Sequence, residues 1–273
     1  MNFPGQTIIS NTKYLMDEIT KLIHINLDKQ WMAKGWMQKE NGEVAENIHP
    51  LINVAFEAHQ DINNFIKTNT LGITPAIWEL SELAIKINNL KRNNVKGLQD
   101  RLNNLISFDY SLYLNARYEI QIAGMLLSKS HKIEFIEECE TETPDILAIS
   151  GTDKCEIECK YKDPAEDQLD YIKSIYNNTQ TARKQFSKNC PGIIMVDIAK
   201  DKYDEYQIER ERLLMEIERA LRNSSSISGI ILTSKVSIEE DGDLVYRHRA
   251  GGVLNQKPRH QMPNWLKRNL INV

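Results

Sequence analysis

Long apolar runs are missing from this chain of 273 residues: no stretch approaches the roughly 18 apolar residues that a membrane-spanning helix needs. The opening segment, MNFPGQTIIS, lacks the basic-then-apolar order of a secretory leader, so a cytoplasmic location is expected. Cysteine is scarce. Cys139, Cys155, Cys159 and Cys190 include no C-x-x-C pair, which argues against a zinc finger and fits thiols packed as small apolar groups in a reducing compartment. There is no G-x-G-x-x-G and no Walker loop, so neither of these routes to a nucleotide cofactor is open. The six histidines form no H-E-x-x-H and show no metal-ligand spacing. What is present is an ordinary globular composition, 41% apolar and 26% charged, in a chain long enough for one large domain or two small ones.

Charge is unevenly placed. From Leu244 onward the chain carries Arg247, Arg249, Lys257, Arg259, Lys267 and Arg268 and no acidic residue, a tail of +6 on a body of −10 within a net charge of −4. A basic stripe on an acidic body can supply phosphate contacts, as a solvated tail can equally carry such charge.

Residues 1–97 read as a helical region. Apolar residues recur at helical spacing through 11–34 (Leu15, Ile19, Leu22, Ile23, Leu27), again through 43–67 with a break at Pro50, and from Thr74-Pro75 to Leu90. Trp31, Trp36, Trp78, Met32 and Met37 are expected in the core of this bundle. Residues 93–97 form the expected linker, and Gly251-Gly252 a flexible joint. The second region, 98–273, alternates helix and strand. A helix is expected at 113–128, strands at 132–137, 145–149 and 154–162, a helix at 168–188, a strand at 193–198, a helix at 205–222 and a strand at 229–233. That order predicts an α/β fold with a mixed sheet flanked by helices.

The segment from Cys155 to Lys162 carries the chemistry. In a strand Cys155, Ile157, Cys159 and Tyr161 share one face and Glu156, Glu158, Lys160 and Lys162 the other. A hairpin turning at Gly151 brings Asp145 towards Glu158 and Lys160. Two carboxylates placed close together repel, and a divalent cation relieves them. The plain alternative is a solvent-facing strand edge with balanced charges.

Pro144-Asp145 followed by Glu158-Cys159-Lys160 resembles the PD-(D/E)xK signature of restriction-endonuclease-like nucleases, over roughly residues 113–200. The resemblance implies a restriction-endonuclease-like core in 98–273 behind the helical region, and a nuclease dependent on Mg²⁺, with Mn²⁺ as a substitute. It implies that Asp145 and Glu158 bind the metal with the backbone carbonyl of Cys159, and that Lys160 orients or activates the attacking water. Glu119, where many members place a further acid, would complete the metal shell. On the following helix Lys173, Tyr176, Gln180 and Lys184 form one stripe, and family members hold DNA with such residues. The Gln-x-x-x-Tyr pattern of RecB-like members is absent here. Arg247, Arg249 and Arg259 are the expected phosphate contacts of the tail.

The expected function is a DNA endonuclease, with restriction or phage defence as the setting and a homodimer as the assembly common to the fold. The N-terminal region would then serve recognition or dimerisation. The competing reading is a non-catalytic nucleic-acid or protein-binding module on the same fold.

Overall fold

The structure is a computed structural model that describes residues 12–22, 27–44, 47–68, 73–128, 131–137, 143–161, 168–198, 210–240 and 243–270. The chain divides into two compact units, Thr7–Gly124 and Met125–Val273.

The first unit is helical: α1 (Thr12–Lys21), α2 (Lys29–Glu40), α3 (Pro50–Thr68), α4 (Pro75–Arg92), α5 (Leu98–Leu105) and most of α6 (Tyr110–Leu127). One helix was expected over 11–34, but two form around residues 23–26, which lie outside the described residues. The second begins where Asp28 accepts the Trp31 N–H at 2.7 Å, a side-chain N-cap that starts a new helix. Thr74 and Pro75 open α4 as the sequence indicates, with Thr74 accepting from Ile77 N–H. Glu18 is buried and fully compensated: Lys21 and Arg92 pair with Oε1 at 2.7 and 3.0 Å, and Asn88 donates to Oε2 at 2.6 Å, tying α1 to α4.

Two expectations fail here. Met37 is exposed while Met32 is buried, because five residues turn it roughly 140° round α2, away from the face on which Gly35 meets Ile52. Trp31, Trp36 and Trp78 are only half-buried. Residues 93–97 are not a linker between domains. Asn94 and Gly97 adopt φ of 50° and 76°, making a tight turn, and Leu98, Leu102 and Leu105 immediately rejoin buried packing. The division between units comes later, after Gly124.

The second unit is an α/β domain on a six-stranded mixed sheet: β1 (Lys132–Phe135), β2 (Ile146–Ser150), β3 (Asp153–Lys160), β4 (Gly192–Asp197), β5 (Ile227–Glu240) and β6 (Asp243–Leu254), in that spatial order. β1, β2 and β3 run antiparallel, β3, β4 and β5 parallel, and β5 and β6 antiparallel. The β2–β3 turn holds Gly151 at φ 61°, which a residue without Cβ adopts freely. Helices α7 (Gln168–Ala182) and α8 (Arg210–Arg222) bury Ile172, Ile175, Ile217 and Leu221 in one cluster with Ile194, Val196 and Ile230 of the sheet. Gly192 admits the Phe186 ring onto the start of β4, where any Cβ would meet it at 2.4 Å. No helix of the described residues is long and apolar enough to cross a membrane.

The basic tail is built into the fold. β5, at 14 residues, is nearly three times as long as the strand expected at 229–233, and β6 and a final helix α9 (Asn264–Leu270) were not anticipated. Gly251 and Gly252 are strand residues rather than a joint, paired with Leu232 and Ile231. Asn255 fastens the return of this segment. Its buried Nδ2 is shared among the carbonyls of Leu221, Ser224 and Ile227 at 3.2, 3.1 and 2.8 Å, while Oδ1 accepts from Lys257 N–H at 3.0 Å. Replacing Asn255 by Ala removes the hydrogen bonds that join these three carbonyls and the Lys257 N–H to one side chain, although Leu221 O and Ser224 O keep the N–H groups of Ser224 and Ile227, and the expected loss is about 2 kcal/mol. Urea unfolding monitored by circular dichroism reads this as a lower midpoint at unchanged m-value.

Candidate metal centre

Asp145 sits one residue ahead of β2, continuing the register in which Ile146 faces Ile157, so it lies opposite Glu158. Its main chain is clamped from both sides. Asp145 N–H donates to Ile157 O at 3.1 Å, and its carbonyl accepts from Ile136 N–H at 2.9 Å. Its Oδ2 accepts from Cys159 N–H at 2.6 Å, so the carboxylate is pinned against the end of β3. In a strand the N–H and C=O of one residue point to the same side, which directs the Cys159 carbonyl towards Asp145 as well.

Glu158 is 1% exposed. The exposed-edge alternative therefore fails: β3 lies between β2 and β4, and both of its faces are covered. Glu158 and Lys160 are in register with Ile194 and Val196, whose side chains meet α7 and α8, whereas Cys155, Ile157 and Cys159 are buried on the other face. Lys160 Nζ lies 2.5 Å from Glu158 Oε1. The second oxygen, Oε2, is buried and accepts no well-formed hydrogen bond among the described residues. Burial, with the nearby Asp145 charge, raises the Glu158 pKa to about 7, while Lys160 and then Gln185 pull the other way. For Lys160, burial works to lower the pKa but is outweighed by Glu158 and then Asp145, so the ammonium titrates above the usual lysine range.

Asp145, Glu158 and Lys160 thus converge. The donor set, the Asp145 and Glu158 carboxylates with the Cys159 carbonyl directed towards Asp145, is made of hard oxygens and suits a hydrated Mg²⁺ ion better than a soft metal. Among the described residues no group of three or more His, Cys, Asp or Glu side chains forms a closed metal cage, so most of such an ion's shell would be water and substrate.

Glu119 belongs to the first unit, where its buried carboxylate is ion-paired with the equally buried Arg101, a partner that already offsets its charge. Glu156 is a structural neighbour: it accepts Ser187 N–H at 2.7 Å and borders a cleft with Cys190, His260 and Lys267, at the far end of β3 from Lys160. Gln180 is half-buried with a buried Nε2 that has no hydrogen-bond partner among the described residues, and Lys184 is exposed in the turn after α7. Tyr176 of the same stripe carries the Arg219 guanidinium over its ring at 4.7 Å. Gln185, which reaches Glu158, was not foreseen, because no spacing rule marks a single amide beyond a helix end.

The tail does not form one basic stripe. Arg249 pairs with Ser234 and Arg247, described by its main chain alone, with Val236. Arg259 donates its N–H to Ser225 O at 2.7 Å at the opposite end of β5. Seven residue-to-residue rises from Ile227 to Ser234 separate these places by more than about 20 Å.

Cys155, Cys159 and Cys190 are free thiols, and Cys139 lies outside the described residues. No family model matches the chain, and no curated protein matches it.

The buried Glu158 carboxylate predicts a pH dependence. With its folded pKa near 7 and an unfolded value near 4.5, the folded protein binds the proton more tightly. In the absence of divalent cations, stability therefore falls as pH rises from about 4.5 to 7 and stays low above it, by up to ~3 kcal/mol. Glu158→Gln removes that loss. Denaturant unfolding in EDTA at pH 5 and pH 8 should show a wide gap for the parent and a narrow one for the variant.

Proposed function

We propose that the second unit is a metal-dependent nuclease core of the PD-(D/E)xK type that hydrolyses phosphodiester bonds in DNA. The observation that carries this reading is the buried Glu158 carboxylate opposite Asp145, with one oxygen left without a well-formed hydrogen bond. Burying like charges together is costly, and a divalent cation between them reverses the sign of the interaction. The order of α6, three antiparallel strands, α7 and a parallel strand β4 also agrees with the core order implied by the resemblance.

Asp145 and Glu158, with the Cys159 carbonyl, would hold the ion, with Asp145 pre-positioned by the Cys159 N–H. A bound Mg²⁺ supplies Lewis acidity at the phosphate and a lowered pKa for water. Lys160 stays protonated at neutral pH beside Glu158, so its part is that of a cation: it orients the attacking water and offsets charge building on the phosphate oxygens. Glu119 has no assigned part in this scheme, since Arg101 already holds it. The helical unit is left for recognition or for a dimer contact, and restriction or phage defence is the setting in which such a nuclease would act.

Purified protein should cleave plasmid DNA with Mg²⁺ or Mn²⁺ and not in EDTA. Asp145→Ala and Lys160→Ala should each lower the rate by at least about 100-fold, the scale of losing one transition-state electrostatic contact. A thermal-shift series should show Mg²⁺ raising the melting temperature of the parent and not of Asp145→Ala. Intact plasmid, linear, single-stranded DNA and RNA with both metals, together with salt-sensitive DNA binding that survives Asp145→Ala, would turn the assignment to the binding-module alternative.

A further inference from the structure

The sheet ends unevenly. β4 pairs with β5 only as far as Asp197 and Thr233, yet β5 and β6 stay paired through Glu240 and Asp243. Beyond Thr233 the hairpin continues for seven residue pairs as a two-stranded ribbon, roughly 23 Å past its last contact with β4. It leaves the sheet at the end that bears the candidate centre. Lys160 is in register with Val196, Val196 with Leu232 and Leu232 with Gly251, two residues short of Arg249. Three strand spacings and two residues of rise put Arg249 roughly 16 Å from Lys160 along the sheet.

Charge along the ribbon is polarised. Its base, residues 234–238 and 245–250, holds Lys235, Arg247, His248 and Arg249 and no acid, while the last two pairs towards the tip, Glu239 with Leu244 and Glu240 with Asp243, hold three acids and no base. Lys235 faces His248 in the register and Arg249 is half-buried at the root of the ribbon. A uniformly basic ribbon could thread a groove tip-first. This one is repelled by phosphates at the tip and attracted at the base.

We infer that the base of the β5–β6 ribbon is the phosphate clamp for duplex DNA, seating the backbone beside the centre at Asp145, Glu158 and Lys160, and that Lys257 and Arg259 take no part. The inference rests on the nuclease reading for its substrate. It narrows the basic tail to Arg247 and Arg249, whose positions on β6 share the parity of Gly251 and so the sheet face of Lys160, whereas Lys235, paired with His248, belongs to the other face of the ribbon. At roughly 16 Å from Lys160, the clamp would grip phosphates about five steps from the bond being cut, given ~3.4 Å of axial rise per step.

The test uses the full chain carrying Asp145→Ala, in EDTA, so that binding is read without cleavage. Fluorescence anisotropy with a labelled 20-base-pair duplex across a salt series gives the slope of log affinity against log salt. Arg247→Ala with Arg249→Ala should flatten that slope by about 2, close to one unit per lost phosphate contact. Lys257→Ala with Arg259→Ala should leave it unchanged. Arg247→Lys with Arg249→Lys should keep most of the slope, which separates lost charge from a damaged hairpin. An unchanged slope in the first double variant, an equal drop in the second, or tighter binding of a single-stranded 20-mer than of the duplex overturns the clamp. Cleavage by the unmutated protein with Mg²⁺ is scored separately: DNA held by the ribbon but never cut removes the nuclease reading, whereas cutting with an insensitive slope removes the clamp alone.

Discussion

Glu158 is held out of water directly across from Asp145, and the arrangement around them follows from that pairing. The antiparallel register of β2 with β3 sets the two carboxylates opposite each other. The Cys159 N–H pins one of them at 2.6 Å, and the walls supplied by α7, α8 and β4 deny the other its hydration. Lys160 answers only part of the resulting charge, which is why the Glu158 proton affinity rises although an ammonium lies beside it. Electrostatic tension of this kind is expensive to keep in a fold that gains nothing from it, and strongly perturbed ionisable groups gather where proteins do chemistry.

The pattern that identified the centre was short and local. Alternation along 155–162 gave the two faces of β3, and Gly151 gave the turn that folds Asp145 back over it. Both depend on neighbours within a few residues, where chain geometry leaves little choice. What alternation could not give was depth. Four charged residues at every second position look like a wet surface, and only the helices α7 and α8, packed over that face of the sheet from further along the chain, make it an interior. Burial of Glu158 is a property of the tertiary fold rather than of the segment.

The same reasoning accounts for the places where the sequence misled. The stretch from 234 onward lacks the apolar density of a core strand, because beyond Thr233 there is no β4 beside it to cover. Its strand character comes from pairing with the other arm of its own hairpin. Gly251 and Gly252 looked like a joint for a similar reason: at Gly252 the close approach of Ile230 O, 2.7 Å from where a Cβ would stand, is what excludes a side chain. Glycine marked tight packing there, not freedom. In the first unit, the expected helix over 11–34 was a sound apolar pattern divided by a polar N-cap at Asp28, a signal that outweighs periodicity over a single turn.

The position of β3 in the middle of the sheet also bears on how the centre is lost. Strands at a margin fray by themselves, but a strand hydrogen-bonded on both sides separates only when the surrounding domain opens. The amide protons of residues 156–159 should therefore be among the last in this unit to exchange with solvent, and a protease would find no nick that disables the acidic pair while sparing the rest. Whatever chemistry the pair performs is coupled to the integrity of the whole domain, present in full or absent altogether.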